Sequence, residues 1–158
     1  SDLYEGEWKN GNKHGKGKIT YKEGGYYNGE FKNGKKHGKG KYVFSNGNVY
    51  EGDFVRGMFY GKGKYIFKSG DSYNGDFKND LFHGNGVYTF SSGSRYEGEW
   101  HKGNQHGYGE LTYSTGEIYK GNWKNGKQHG RGVLTKTDNT QKKGIWKDGE
   151  FFRKTKDL

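Results

Sequence analysis

Residues Tyr27 to Phe44 read YNGEFKNGKKHGKGKYVF, a mixture of lysines, glycines and aromatic rings. It fits either a loop that grips phosphate or nucleic acid, or one tile of a larger array. Sliding the stretch along the chain decides between them. The same pattern returns every 23 residues without insertion or deletion, with Tyr4, Tyr27, Tyr50, Tyr73, Tyr96 and Tyr119 opening successive copies. Two residues on stand Gly6, Gly29, Gly52, Gly75, Gly98, Gly121 and Gly144, and two further on Trp8, Phe31, Phe54, Phe77, Trp100, Trp123 and Trp146. A Gly-x-Gly pair follows in six copies, from Gly15 and Gly17 to Gly130 and Gly132. A fixed period of this length marks an array whose units bury their apolar faces against their neighbours.

Within a copy, YEGEW alternates Tyr, Gly and Trp against two glutamates, and GKGKITY alternates Gly, Gly, Ile and Tyr against Lys, Lys and Thr. Alternation of period two predicts strands. Asn10-Gly11, Asn33-Gly34 and Asn125-Gly126 fall between such segments, and Asn-Gly favours a tight hairpin because both central residues need positive φ. A second glycine-bearing turn, such as Ser45-Asn46-Gly47-Asn48, joins each copy to the next. The chain is therefore expected to be all-β, an elongated single-layer antiparallel β-meander solenoid of 23-residue β-hairpin repeats with about 13 strands, each copy advancing roughly 9–10 Å. Parity puts Tyr4, Gly6 and Trp8 on one face with Gly15, Gly17, Ile19 and Tyr21, so rings can lie over positions that lack a Cβ. Tyr4, Trp8, Tyr27, Phe31, Tyr50, Phe54, Tyr73, Phe77, Tyr96, Trp100, Tyr119 and Trp123 are the expected repeat core. Glu5 and Glu7 share the other face with Lys16 and Lys18, where cross-strand ion pairs are expected.

Composition agrees with a layer of rings rather than a globular interior. The 158 residues contain no alanine and only 27% hydrophobic side chains, of which 4 Trp, 14 Tyr and 10 Phe are the larger part. Low hydrophobicity with a net charge of +10 would favour disorder, but 18% aromatic content opposes it. No apolar run approaches the roughly 18 residues needed to cross a bilayer as a helix. The absence of cysteine and of Asn-x-Ser/Thr sequons suits a reducing interior, so a soluble cytoplasmic protein is expected.

YEGEWKNGNKHGKGKITYKEG and its copies resemble the MORN (membrane occupation and recognition nexus) repeat, YxGxW/F-KNG-xxHGxGxxxY/F-xxG. The resemblance covers 1–158 as one array, with six full repeats over 4–139 and a degenerate seventh half-repeat and cap over 140–158. It implies a twisted sheet with a groove, acting as a scaffold for cytoskeleton- or membrane-associated assemblies, and no enzymatic activity.

Several chemistry-bearing readings fail on spacing. His14, His37, His83, His106 and His129 share one repeat position, but equivalent residues roughly 9–10 Å apart cannot share a zinc whose ligands stand about 2 Å from the metal. A turn-stabilising role is expected instead. Gly11-Asn-Lys-His-Gly15-Lys16 resembles a phosphate loop but has the wrong spacing and leads into a strand. No nucleophile and base stand apart from the repeat background, so no catalytic residue, cofactor or small-molecule substrate is expected. Nucleic acid is not expected either, because the rings recur at core positions rather than at stacking platforms.

Charge is uneven along the array. Residues 1–70 carry 14 basic and 7 acidic side chains, residues 71–119 carry 3 and 7, and residues 120–158 carry 11 and 4. Lys35, Lys36, Lys39, Lys127 and Arg131 in the basic ends are candidates for phosphoinositide or other anionic-lipid contact. Two copies differ at their turns, with Met58, Phe59 and Tyr60 in one and Leu81 and Phe82 in the next replacing polar residues. Either these side chains fold back over the aromatic face, or they form an apolar patch that anchors a partner, such as a helix with apolar and basic residues or a second copy in a dimer. The start lacks a cap, so the chain is expected to be a piece of a longer array.

Overall fold

The computed structural model describes residues 1–155, and the last three positions of the expected cap, 156–158, lie outside them. Fourteen strands follow in order: β1 Leu3–Lys9, β2 Asn12–Thr20, β3 Tyr26–Lys32, β4 Lys35–Val43, β5 Val49–Val55, β6 Met58–Ile66, β7 Ser72–Lys78, β8 Leu81–Thr89, β9 Arg95–His101, β10 Asn104–Thr112, β11 Ile118–Lys124, β12 Lys127–Thr135, β13 Gln141–Lys147 and β14 Glu150–Lys154. They form one open antiparallel sheet in sequence order, a single-layer β-meander, with no helix among the described residues. One strand more is present than the sequence suggests, because Phe151 and Arg153 pair with Trp146 and Ile145 across a seventh hairpin. The described residues divide into two compact units, the first Ser1–Leu81 and the second from Phe82 on.

The hairpins follow from their turn residues. Asn10, Asn33 and Asn125 have φ of 51°, 52° and 49°, and the glycines after them 77°, 81° and 81°. Only Gly and Asn adopt this left-handed region at little cost. The connections between copies are closed by backbone bonds such as Phe44 N–H to Asn48 O at 2.9 Å.

Ring over glycine is the packing unit. In the first unit Gly6 pairs with Gly17, Gly17 with Gly29, Gly29 with Gly40, Gly40 with Gly52 and Gly52 with Gly63, a row of bare backbone across successive strands. A Cβ at Gly17 or Gly63 would come within 2.6 Å of the Tyr4 or Tyr50 ring. Each tyrosine hydroxyl then donates to a carbonyl three residues on, as from Tyr27 to Glu30 at 2.7 Å, Tyr50 to Asp53 at 2.7 Å and Tyr119 to Asn122 at 2.9 Å. Edge-to-face contacts link the copies: Tyr27 meets Phe31 at 5.1 Å and Phe54 at 5.0 Å, and Tyr50 meets Phe54 at 5.1 Å and Phe77 at 5.0 Å. The second unit repeats the ladder, with Tyr96 against Trp100 at 5.2 Å and Trp123 at 5.1 Å. Such pairs contribute about 0.5–1.5 kcal/mol each beyond burial, and Tyr27, Tyr50, Tyr73, Tyr96 and Tyr119 are fully buried. Trp8 departs from the expected core, since it is 61% exposed. Its equivalent Phe31 is covered by Tyr4 from the preceding copy at 5.3 Å, and among the described residues no tyrosine of a preceding copy stands over Trp8.

A bulge was not legible in the alternation. Gly6 pairs with Gly17 but Trp8 with Lys13, so His14, Gly15 and Lys16 together stand opposite Glu7. Gly15 takes a φ of 65° there, and the extra amide is satisfied by the acid, with Lys16 N–H donating to Glu7 Oε2 at 2.5 Å. The same bond recurs from Lys39 to Glu30 at 2.6 Å, Lys62 to Asp53 at 3.0 Å and Tyr108 to Glu99 at 2.7 Å. These carboxylates therefore act first on backbone. The expected Lys–acid pairing appears instead between copies, from Lys39 to Asp53 and from Lys62 to Asp76.

Candidate functional site

Alternation divides each strand between an aromatic face and an outer face, and this division sorts the candidate residues. Phe59 faces the rings: it stacks on Tyr50 at 3.9 Å and 15° and touches Phe54 at 5.5 Å. Its neighbours Met58 and Tyr60 face outward, 37% and 38% exposed, and Leu81 is 45% exposed. In the second unit Phe82 packs on Trp100 at 5.3 Å. The side chains of these turns divide between the two faces, because consecutive strand residues point to opposite faces. Phe59 and Phe82 fold back over rings, whereas Met58, Tyr60 and Leu81 stay in solvent. Neither phenylalanine belongs to the exposed patch.

The basic candidates separate in the same way. Lys36 occupies the position equivalent to Phe59 and holds its ammonium 5.8, 5.6 and 5.3 Å from the rings of Tyr21, Tyr27 and Tyr42. Desolvation lowers its pKa, and the ring faces supply cation–π attraction in return. Lys36 is thus held on the aromatic face, away from Lys35 and Lys39. Lys39 is paired with Asp53, whose carboxyl stays below its ordinary pKa despite desolvation because the Lys39 ammonium and the Lys62 amide bind it. Lys35 is exposed on the outer face. There it lines a cleft of about 410 Å³ with Lys32, Asn33, His37, Val55 and Arg56. One copy on, Val55 and Arg56 also line a cleft of about 440 Å³ whose other walls are Met58, Tyr60, Lys78 and Asn79.

In the second unit Lys127 is exposed at its turn. Arg131 lies on an outer shelf of about 410 Å³ with Tyr108, Lys120 and Lys143 among its walls. Tyr108 was missed by sequence reasoning: it replaces the lysine between Gly107 and Gly109 and is 53% exposed. Its signal was an aromatic residue at an outward parity. Two of the repeated histidines accept turn amides, with Arg56 N–H donating to His37 Nδ1 at 3.5 Å and Asp148 N–H to His129 Nδ1 at 3.4 Å. Among the described residues no three His, Asp or Glu side chains gather as a metal site.

These features define an open β-hairpin repeat scaffold. The MORN repeat model matches residues 4–26, 27–49, 50–72, 73–95, 96–118 and 119–141, and the chain belongs to that family. No curated protein matches it. Among solved structures, the chain is similar to the TCP domain of SAS-4 (dCPAP) of Drosophila melanogaster, solved in complex with a proline-rich motif of Ana2 (dSTIL). That match has 11% identity, covers 84% of each chain and has a TM-score of 0.48.

Proposed function

We propose that the chain is a non-enzymatic scaffold that holds a protein partner, a helical segment of another protein or a second copy, at cytoskeleton- or membrane-associated structures of the cytoplasm. The observation that carries the reading is the exposure of Met58, Tyr60 and Leu81 at turns where other copies have polar residues. Exposed apolar groups at neighbouring turns favour association. The cellular setting rests on the family resemblance and on a sequence without cysteine. A second reading, contact with anionic lipid, is favoured by the basic shelf of Lys120, Arg131 and Lys143.

One experiment separates the two. Met58→Lys with Tyr60→His installs side chains that other copies already carry, Lys35 and His37, so the sheet should keep its circular dichroism. Protein capture from a lysate of the source cells should be lost in this double variant and kept in Lys127→Glu/Arg131→Glu. Capture unchanged by the first pair would refute partner binding at this turn. Salt-sensitive sedimentation with acidic liposomes, abolished by the second pair, would establish the lipid reading in its place.

A further inference from the structure

Two neighbouring clefts on the outer face of the first unit share Val55 and Arg56 and differ in chemistry. The cleft walled by Lys32, Lys35, His37 and Arg56 contains no carboxylate. The nearest acids along the same strands are already bound, Glu30 by the Lys39 amide and Asp53 by the Lys39 ammonium and the Lys62 amide. His37 Nδ1 accepts the Arg56 amide proton, which leaves Nε2 as the nitrogen that carries a proton in the neutral ring. The second cleft replaces Lys35 and His37 with Met58 and Tyr60 and keeps one lysine, Lys78, beside Arg56. Cationic and apolar recognition therefore sit one copy apart, roughly 9–10 Å, the span of about three residues of extended chain.

Arg56 supplies an independent pointer. At the first left-handed position of the hairpin turns stand Asn10, Asn33, Asn79 and Asn125, while Arg56, Lys102 and Asp148 hold the same conformation at φ of 50°, 48° and 48°. A long side chain there opposes local preference, and such local conflicts concentrate at functional sites. With Val55, Arg56 lines both clefts, and it is the charged residue of the two.

We propose that these clefts bind a phosphorylated linear segment of a protein partner. The phosphoryl group is held by Lys32, Lys35 and Arg56, and a bulky apolar side chain about three residues away lies against Val55, Met58 and Tyr60. A dianion with several acceptor oxygens matches this cluster of donors. A membrane is the less suitable occupant, because a flat headgroup surface offers no side chain to lie against the neighbouring Val55, Met58 and Tyr60. The proposal rests on the partner-binding reading above and names the chemistry of that partner.

The test uses the whole chain and a fluorescent peptide with phosphoserine three residues from phenylalanine in a Gly-Ser background, followed by anisotropy. Removing the phosphate should weaken binding about tenfold or more, the usual worth of charged hydrogen bonds. Arg56→Asn should weaken it by a similar factor while thermal stability stays the same or rises, since asparagine suits the turn. Met58→Lys/Tyr60→His should keep the phosphate dependence and lose the contribution of the phenylalanine, read against a glycine-substituted peptide. Equal affinity of Arg56→Asn and the parent overturns the proposal, as does indifference to the phosphate. Binding to phosphatidylserine vesicles that the peptide does not compete for would assign the site to membrane and overturn it too. If Arg56→Asn loses the peptide yet captures the same proteins from lysate, the phosphorylated segment is discarded and the scaffold reading survives.

Discussion

Phe54 in the first unit and Trp123 in the second occupy the same place in their copies, yet they complete it differently. Phe54 is gripped by Tyr27 and Tyr50 and offers nothing polar. Trp123 makes the same edge-to-face contacts and also donates its indole N–H to Gly109 O at 3.1 Å, as Trp100 does to Gly86 and Trp146 to Gly132. The residue over the rings changes in parallel. It is Lys36 or Phe59 in the first unit, and in the second it is Phe82 on Trp100 or Gln128, which is buried and bonds Tyr113 Oη at 2.8 Å. One backbone thus tolerates cation, ring or amide at that position, because the tyrosine-on-glycine contact beneath it is the same in both.

Three measurements probe that sameness and that difference. The largest effect is expected at alkaline pH, where both units should fail together. Burial pushes the phenols of Tyr27, Tyr50 and Tyr119 up, while unfolded tyrosine ionises near about 10. A raised folded-state pKa gives stability that is complete below the unfolded value and is lost as pH climbs from there through the folded one. Lys36, whose pKa is lowered, works in the opposite direction, but it is a single group against several rings. The tyrosinate absorbance of these buried rings should therefore appear together with loss of the sheet signal, well above pH 10. Early titration of these rings in folded protein would contradict their burial.

Next in size, Gly63→Ala would bring a Cβ to 2.5 Å from Tyr50 Oη, and Gly109→Ala would do the same to the Tyr96 ring. Each should cost about 3 kcal/mol in denaturant unfolding, by similar amounts in the two units. A harmless alanine in either would break the equivalence. The smallest effect belongs to the difference itself. Trp123→Phe removes the bond to Gly109 O and should cost about 1–2 kcal/mol, while Phe54→Trp, which brings an indole N–H towards the glycine row, should change stability by less than about 1 kcal/mol. Equal responses would show that the indole bond contributes nothing.

Much of the fold was legible because each signal is local. Asn33-Gly34 announces its turn by backbone preference alone, and Tyr27, Gly29 and Phe31 announce their shared face by parity. The bulge at Gly15, Gly38 and Gly61 was not legible, since alternation says nothing about three residues standing opposite one. The candidate site was legible only as a list. Met58, Phe59 and Tyr60 are contiguous in sequence, and the pleat sends the middle one to the rings and the other two to solvent. Lys35 and Lys36 part for the same reason.

The sequence by itself determined the repeat, the strands, the turns and the rings that must meet glycine, since all of these follow from period, parity and conformational preference within 23 residues. Only the tertiary structure decided which carboxylates bind backbone and which bind lysine. It also decided that Lys36 lies among tyrosines, and that Arg56 is shared by two clefts. Those outcomes depend on which side chains neighbouring strands bring within a few ångströms, and register across a bulge sets that distance.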